Sequence, residues 1–171
     1  MSFFEADNLR TIAGGKWLQR PAKLPFEMHG IGTDTREGLA GRAFLAIKGD
    51  RTDGHDYLAD AATAGAGLLI VDRDVAITAV LQGAGVVKVD STRRALGRLA
   101  QAYRRSLKST KVIAVTGSAG KTTTKHLIHA LLSQEMQGSA SPKSFNNDIG
   151  VPLTLLAAKP SDRFIVCEVG M

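Results

Sequence analysis

The chain has 171 residues, of which 44% are hydrophobic, 5% aromatic and 22% charged, and its formal net charge is +6. This length allows one domain or two small ones, and the composition is that of a soluble globular protein. The longest apolar run, residues 66–71, is far shorter than the roughly 20 residues that a membrane-spanning helix needs. A single cysteine, Cys167, excludes an internal disulfide and a cysteine-built metal cluster. We expect a cytoplasmic protein whose first residues are not a secretory signal.

The first part of the chain is predicted to alternate between short helices and strands. Residues 4–13 predict a helix that ends at the glycine pair following it. The segment 16–32, punctuated by proline and glycine, is predicted to hold short strands. Residues 50–66 predict a polar loop and then a helix with Asp56 as its N-cap. Further strands are predicted at residues 42–49, 67–72 and 85–90.

Much of the basic charge lies in residues 91–111, which predict an amphipathic helix. Its apolar positions recur at helical spacing and are Leu96, Leu99, Tyr103 and Leu107. Its basic positions are Arg93, Arg94, Arg98, Arg104, Arg105 and Lys108. We interpret the basic side as a solvated face and expect no nucleic-acid partner, because charge alone indicates only solubility and non-specific binding. Residues 1–107 are thus predicted to form a mixed α/β domain.

Residues 108–171 predict a second α/β unit, built on parallel strands. Strands are predicted at residues 111–117 and 163–171, helices at 121–135 and 151–159, and a polar loop at 138–150. A doubly wound sheet needs more strands than these to bury its edges. We therefore expect the chain to be a fragment of a longer protein or to depend on a partner.

The sequence 115-VTGSAGKTTTKH-126 joins the predicted strand to the predicted helix. It differs from the phosphate-binding pattern G-x-x-x-x-G-K-[ST] because Val115 stands where the first glycine would be. The two glycines that remain permit a tight turn, Lys121 lies at the helix start, and Thr122 supplies a hydroxyl of the kind that binds Mg²⁺. This strand–loop–helix context predicts a phosphate-binding loop.

Glu168 is the second candidate functional residue, because it stands in the otherwise apolar segment 164–171, near the end of a strand. A buried carboxylate needs a cation or a hydrogen-bond donor beside it, and α/β sheets bind ligands at the carboxyl ends of their strands. A salt bridge or an exposed edge position would also explain it. With a phosphate loop nearby, we interpret Glu168 as a Mg²⁺ ligand and Cys167 as a packing residue.

Three stretches resemble the Mur ligases, the ATP-dependent amide-forming enzymes of peptidoglycan synthesis. The loop 116-TGSAGKTT-123 is similar to their TG-[ST]-x-GKT loop, which lacks the first glycine of the common pattern. Residues 33–66 resemble the N-terminal UDP-binding domain of the family, and 145-FNNDIGVPLTLL-156 resembles its D-alanyl-D-alanine-adding branch. The likeness runs from about residue 5 to 171. It implies a mixed α/β UDP-binding domain over residues 1–107 and an incomplete, parallel, P-loop-type α/β ATP-binding domain over residues 108–171.

The resemblance also implies roles for individual residues. Lys121 and Glu168 would be catalytic, and Thr122 and Glu168 would bind Mg²⁺. ATP would be bound by the loop residues Gly117, Ser118, Ala119, Gly120, Lys121, Thr122 and Thr123. The UDP-linked substrate would contact Asp34, Thr35, Arg36, Lys48, Asn146 and Asn147, near the loop 53-DGH-55. An ordinary polar turn would explain residues 34–36 equally well, and we do not interpret His126 and His129 as a metal pair.

The implied activity is ATP-dependent joining of D-alanyl-D-alanine to UDP-N-acetylmuramoyl-tripeptide through an acyl phosphate, with Mg²⁺ as cofactor. Members of the family have three domains, including a later lysine that is carbamylated to bind a second Mg²⁺, a histidine-containing motif and a C-terminal domain. We therefore expect these 171 residues alone to be inactive. The alternatives are a sibling ligase that adds a diamino acid, a folate glutamyl ligase, a non-catalytic binding module for UDP-muramoyl-peptide or nucleotide, and a basic nucleic-acid-binding NTPase. The amino-acid sequence specifies no oligomeric state.

Overall fold

The computed structural model describes residues 2–22, 27–142 and 145–170 of an α/β protein. The chain divides into two compact units, Met1–Leu99 and Ala100–Met171. The division falls inside the basic helix, whereas the predicted domain boundary follows residue 107. The predicted elements at 16–32, 138–150 and 163–171 include residues 23–26, 143–144 and 171, which lie outside the described residues.

The first unit begins with helix α1 (Ala6–Ala13), as predicted. Glu5 caps its start by accepting a hydrogen bond from the Asp7 N–H. Gly14 ends it in the left-handed conformation (φ 69°), which glycine adopts without steric cost. Leu9 and both terminal alanines are fully buried, so one face of α1 packs into the core.

A five-stranded sheet forms the centre of the first unit. Its strands are β1 (Lys16–Gln19), β2 (Ile31–Gly32), β3 (Ala43–Leu45), β4 (Leu68–Val71) and β5 (Gly85–Lys88), and helix α2 (Leu58–Thr63) lies between β3 and β4 in the sequence. The spatial order is β1-β5-β4-β3-β2, with β1 antiparallel to β5 and the other pairs parallel. The middle strands β3 and β4 are buried at every position, which explains their unbroken apolar sequence.

The start of α2 differs from the prediction that Asp56 is its N-cap. Asp53 instead accepts the His55 N–H and begins a 3₁₀ turn over Gly54–Tyr57, which leads directly into α2 at Leu58. The chain is already turning when it reaches Asp56, because the earlier aspartate makes the local side-chain-to-backbone hydrogen bond that initiates such a turn.

The predicted basic helix is α3 (Thr92–Ser106), and it contains the boundary between the two units. Its four predicted apolar positions, including Leu107 just beyond its end, are buried. Asp90 pairs with Arg94 and Arg98, and Arg98 also donates to the Ala13 carbonyl. Part of the basic charge therefore serves internal contacts. In the described part of the chain, neither α3 nor any other helix is long and apolar enough to cross a membrane.

The second unit is a parallel three-stranded sheet with two further helices. In chain order, its elements are β6 (Lys111–Val115), α4 (Lys121–Leu132), β7 (Gly138–Ala140), α5 (Gly150–Leu156) and β8 (Phe164–Glu168). The central strand is β8, which lies between β6 and β7 and is buried throughout. The side chains of β8 pack against the inner faces of β6 and α4, in a core of Val115, Phe164 and Val166 with Ile113, Ile128, Leu132 and Ala140 around it.

Strand β7 corrects the prediction of a loop over residues 138–150. Gly138 pairs with Phe164, and a side-chain carbon at Gly138 would lie 2.4 Å from the Phe164 ring. The glycine therefore lets the buried aromatic ring approach the backbone of the neighbouring strand. Small residues such as those of β7 have a low intrinsic tendency to form strands. Residues 138–140 form a strand nevertheless, because their backbone pairs with the buried strand β8.

Candidate functional site

The loop between β6 and α4 has the backbone form that an anion site needs. Gly117 and Gly120 have φ angles of 141° and 75°, a region that favours glycine. No side chain caps the start of α4. The first N–H groups of the helix are therefore available to a negatively charged ligand. Lys121, the first residue of α4, folds back so that its Nζ donates to the Gly117 carbonyl at 2.6 Å.

Glu168 ends β8 beside this loop, because Val115 and Glu168 are register partners at the carboxyl ends of β6 and β8. Glu168 is buried, with 2% of the residue exposed. Thr122 Oγ1 donates to Oε2 at 2.9 Å, and Asn146 Nδ2 donates to Oε1 at 3.2 Å. The structure thus brings together three residues that the sequence singled out from separate segments.

Lys125 completes this cluster and was missed by the sequence analysis. Its side chain is fully buried, and its Nζ lies 3.2 Å from Glu168 Oε2. The salt bridge considered as an alternative for Glu168 is therefore present. Lys125 follows Lys121 by four residues and Thr122 by three, so each of the two is its neighbour on the helix surface. No sequence pattern indicates that Lys125 also meets Glu168.

These contacts keep Glu168 ionised. Burial acts to raise its pKa, but hydrogen bonds from Thr122, Lys125 and Asn146 stabilise the charged form and together hold the pKa of this carboxyl below its usual value. The site therefore offers a carboxylate, not a carboxylic acid, at neutral pH.

The donor set also fits one edge of a magnesium coordination sphere. Magnesium binds oxygen ligands octahedrally at about 2.0–2.1 Å, which places adjacent ligand oxygens about 3 Å apart. Thr122 Oγ1 and Glu168 Oε2 are 2.9 Å apart. Among the described residues no group of three or more His, Cys, Asp or Glu side chains could hold a metal.

Asn146 and Asn147 have different positions. Asn146 bonds to Glu168 through its side chain and accepts the Gly170 N–H at 2.7 Å through its carbonyl. The Asn147 side chain accepts the N–H groups of Ile149 and Gly150, at the start of α5. Both asparagines line a cleft of about 540 Å³ together with Asp148, Val151, Pro152, Val169 and Gly170.

A separate cleft of about 310 Å³ lies within the first unit. The predicted residues Asp34, Thr35 and Arg36 line it with Thr33, Phe44, Ile47, Thr52, Gly54, Tyr57 and Asp60. Arg36 forms a two-pronged ion pair with Asp34, and this lowers the pKa of Asp34 to about 2. The Arg36 side chain is 86% exposed, so its charge remains accessible to a ligand. Lys48 is not among the residues that line this cleft; its backbone forms an isolated antiparallel bridge with the backbone of Asp53.

The loop 53-DGH-55 is held by a buried histidine. His55 Nδ1 lies 2.7 Å from Asp53, and His55 Nε2 lies 3.3 Å from Asp72, at the end of β4. Asp72 in turn accepts the Thr92 N–H and hydroxyl at the start of α3. Gly54, which lines the cleft, therefore lies between Asp53 and His55, and His55 is anchored to Asp72, the residue that follows β4.

Comparison with known proteins finds the same family in both parts of the chain. The family description "Mur ligase family, catalytic domain" matches residues 27–104, and "Mur ligase middle domain" matches residues 115–171. UDP-N-acetylmuramoyl-tripeptide–D-alanyl-D-alanine ligase of Bacillus subtilis is 42% identical over 154 residues, which are 90% of this chain and 33% of that relative.

Solved structures give the same result. A crystal structure of MurF from Acinetobacter baumannii matches with a TM-score of 0.85 and 35% identity, over 98% of this chain and 36% of that one. MurF ligase from Thermotoga maritima in complex with ADP matches with a TM-score of 0.70 and 30% identity, over 84% of this chain and 32% of that one. The chain thus spans about a third of the length of these relatives. The chain belongs to the Mur ligase family.

Proposed function

We propose that this chain forms the nucleotide-sugar-binding part and the first ATP-binding part of a cytoplasmic ligase that joins D-alanyl-D-alanine to UDP-N-acetylmuramoyl-tripeptide. The observation that carries the proposal is the convergence of Lys121, Thr122 and Glu168 at one sheet edge. The named activity of the Bacillus subtilis relative supports this choice of substrates.

In this proposal the second unit binds the ATP phosphates. The uncapped N–H groups of α4 and the loop residues 117–123 surround the phosphate oxygens, and the Lys121 ammonium exchanges the Gly117 carbonyl for phosphate. A bound magnesium ion, held by Thr122 and Glu168, would neutralise charge on the phosphates. The MurF structure with ADP is consistent with a nucleotide in this branch of the family.

The N-terminal domain, for which we propose the limits 1–107, binds the UDP end of the second substrate. The cleft beside Asp34 and Arg36 offers an exposed guanidinium for a diphosphate and an apolar wall that includes Phe44. Asn146 and Asn147 line the cleft of the second unit, where we propose that they contact the muramoyl-peptide end.

The chemistry that follows is two displacements. The terminal carboxylate of the tripeptide attacks the γ-phosphoryl group, which gives an acyl phosphate and ADP. The amine of D-alanyl-D-alanine then attacks the acyl carbon and releases phosphate with formation of the amide. Lys121 contributes by positioning the phosphates and neutralising their charge. Because the chain spans about a third of its relatives, we expect the 171 residues to bind ligands without turnover.

Titration calorimetry with UDP-N-acetylmuramoyl-tripeptide tests the substrate assignment. We expect the unmutated chain to bind it and Arg36→Ala to weaken the binding by about tenfold, the effect of losing one charge-assisted contact. Arg105→Ala removes an equal charge from an exposed position and serves as the matched control. Absence of binding by the unmutated chain, or equal losses in both variants, would contradict the assignment. Preference for the dipeptide precursor would favour the diamino-acid-adding sibling instead.

A further inference from the structure

A positively charged side chain lies beside the two oxygen atoms, Thr122 Oγ1 and Glu168 Oε2, that form the proposed metal position. Glu168 Oε2 accepts from Thr122 Oγ1 at 2.9 Å and from Lys125 Nζ at 3.2 Å. Lys125 is fully buried, whereas most lysines extend into water. We propose that Lys125 is a built-in countercation of Glu168 that closes this position to a free divalent cation, so that the metal binds only together with nucleotide phosphate. This inference rests on the proposed function, since it takes Thr122 and Glu168 as the metal position.

The charges of three residues carry the proposal. Glu168 contributes one negative charge and Lys125 one positive charge, so their ion pair is neutral. Lys121 adds a second positive charge at the loop, where it contacts the Gly117 carbonyl. The three groups sum to +1, and a divalent cation arriving alone meets repulsion from both ammonium groups. The phosphates of a nucleotide reverse this sign, and Mg²⁺ is commonly held by one or two carboxylates together with phosphates.

Packing alone does not explain a lysine at this position. Ile128 and Leu132, later on the same helix, pack against the core as apolar side chains. An apolar residue in place of Lys125 would do the same without the cost of removing an ammonium group from water. The charge of Lys125 therefore acts on Glu168. It is a positioning residue, because it contacts the Glu168 carboxylate and acts on the metal through its charge without being a ligand.

Binding of Mn²⁺ to the chain, with and without ADP, tests the proposal. Calorimetry and the electron paramagnetic resonance signal of free Mn²⁺ both measure the affinity of the chain for Mn²⁺. For the unmutated chain we expect weak binding of Mn²⁺ alone and at least about tenfold tighter binding in the presence of ADP. Lys125→Gln keeps a hydrogen-bond donor and removes the charge. It should tighten binding of Mn²⁺ alone by about tenfold or more and reduce the coupling to ADP by a similar factor.

The controls separate a charge effect from a loss of structure. Lys111→Gln removes the same charge from an exposed position on β6 and should change neither affinity. Lys125→Arg retains the charge and should retain the weak binding of Mn²⁺ alone. A merely structural role for Lys125 predicts the opposite of our expectation, since a disrupted site would bind Mn²⁺ more weakly in Lys125→Gln.

Two results would overturn the inference while leaving the proposed function standing. In the first, the unmutated chain binds Mn²⁺ alone as tightly as it does with ADP. This measurement uses no variant, so it tests the inference even if Lys125→Gln does not fold. In the second, ADP tightens Mn²⁺ binding in the unmutated chain, but a folded Lys125→Gln shows no gain in affinity for Mn²⁺ alone. Failure of the unmutated chain to bind ADP with or without Mn²⁺ would refute the proposed function and the inference with it.

Discussion

The buried ion pair between Lys125 and Glu168 leads to a quantitative prediction about stability. Both side chains are almost completely buried, at 0% and 3% exposure. Removing one partner of such a pair leaves an uncompensated buried charge, which typically costs about 3–5 kcal/mol. Thr122 and Asn146 still donate to both carboxylate oxygens in Lys125→Met. We therefore expect the lower end of this range, about 3 kcal/mol, for that variant.

The double variant Lys125→Met/Glu168→Gln carries neither charge and should be destabilised by only about 1 kcal/mol, because replacing both members of a buried pair is often nearly neutral. Hydrogen exchange of the amides in β6 and β8 measures the second unit specifically, and the amides of β4 in the first unit serve as an internal control. The destabilisation caused by Lys125→Met and that caused by Glu168→Gln should then sum to well over 1 kcal/mol more than the destabilisation of the double variant. Additivity within about 0.5 kcal/mol would refute the coupling.

Three further predictions follow from other contacts. Gly138→Ala should destabilise the second unit by about 1–3 kcal/mol, because the added carbon overlaps the Phe164 ring. Gly97 on α3 has open space for an added carbon, so Gly97→Ala should stabilise the protein by about 0.5–1 kcal/mol. Urea unfolding measures both effects. The pKa of Asp53 is lowered to about 2, chiefly by the hydrogen bond from the His55 N–H. The ionised Asp53 therefore stabilises the folded state fully above about pH 4, and this stabilisation is lost as the pH falls through 2. Unfolding from pH 6 to pH 2 should therefore show a weaker acid dependence in Asp53→Asn. Thr122→Val should weaken the effect of Mg²⁺ on ADP affinity by about tenfold, and Thr122→Ser should restore it. If calorimetry gives the unmutated chain and Thr122→Val the same ADP affinity in the presence of Mg²⁺, the hydroxyl has no role.

The elements that could be predicted from sequence are those with a strong local signal. The glycine pair after α1 and the helical spacing of the apolar residues in α3 predicted both helices. The candidate phosphate loop was recognisable because its two glycines, its lysine and its threonine all lie within residues 117–122. Glu168 was recognisable because a carboxylate in an apolar strand requires a partner.

The features that sequence reasoning missed depend on contacts between distant segments. Strand β7 exists because Gly138 lets β8 approach, and no property of residues 138–140 alone indicates this. Lys125 is 43 residues from Glu168 in the chain, so only folding shows that the two meet. Asp53 and Asp56 both lie before α2, and the choice between them as the capping residue depends on where the backbone turns.

The affinity of Mg²⁺·ADP for this chain tests the central claim, that residues 117–123 form a phosphate-binding loop, most directly. Calorimetry should show binding by the unmutated chain and by Lys111→Ala, a change at an exposed lysine on β6. Lys121→Ala should lose affinity by at least about tenfold, because the ammonium that balances phosphate charge is gone, while its binding of UDP-N-acetylmuramoyl-tripeptide stays unchanged. Equal Mg²⁺·ADP affinity in Lys121→Ala and Lys111→Ala would contradict the account.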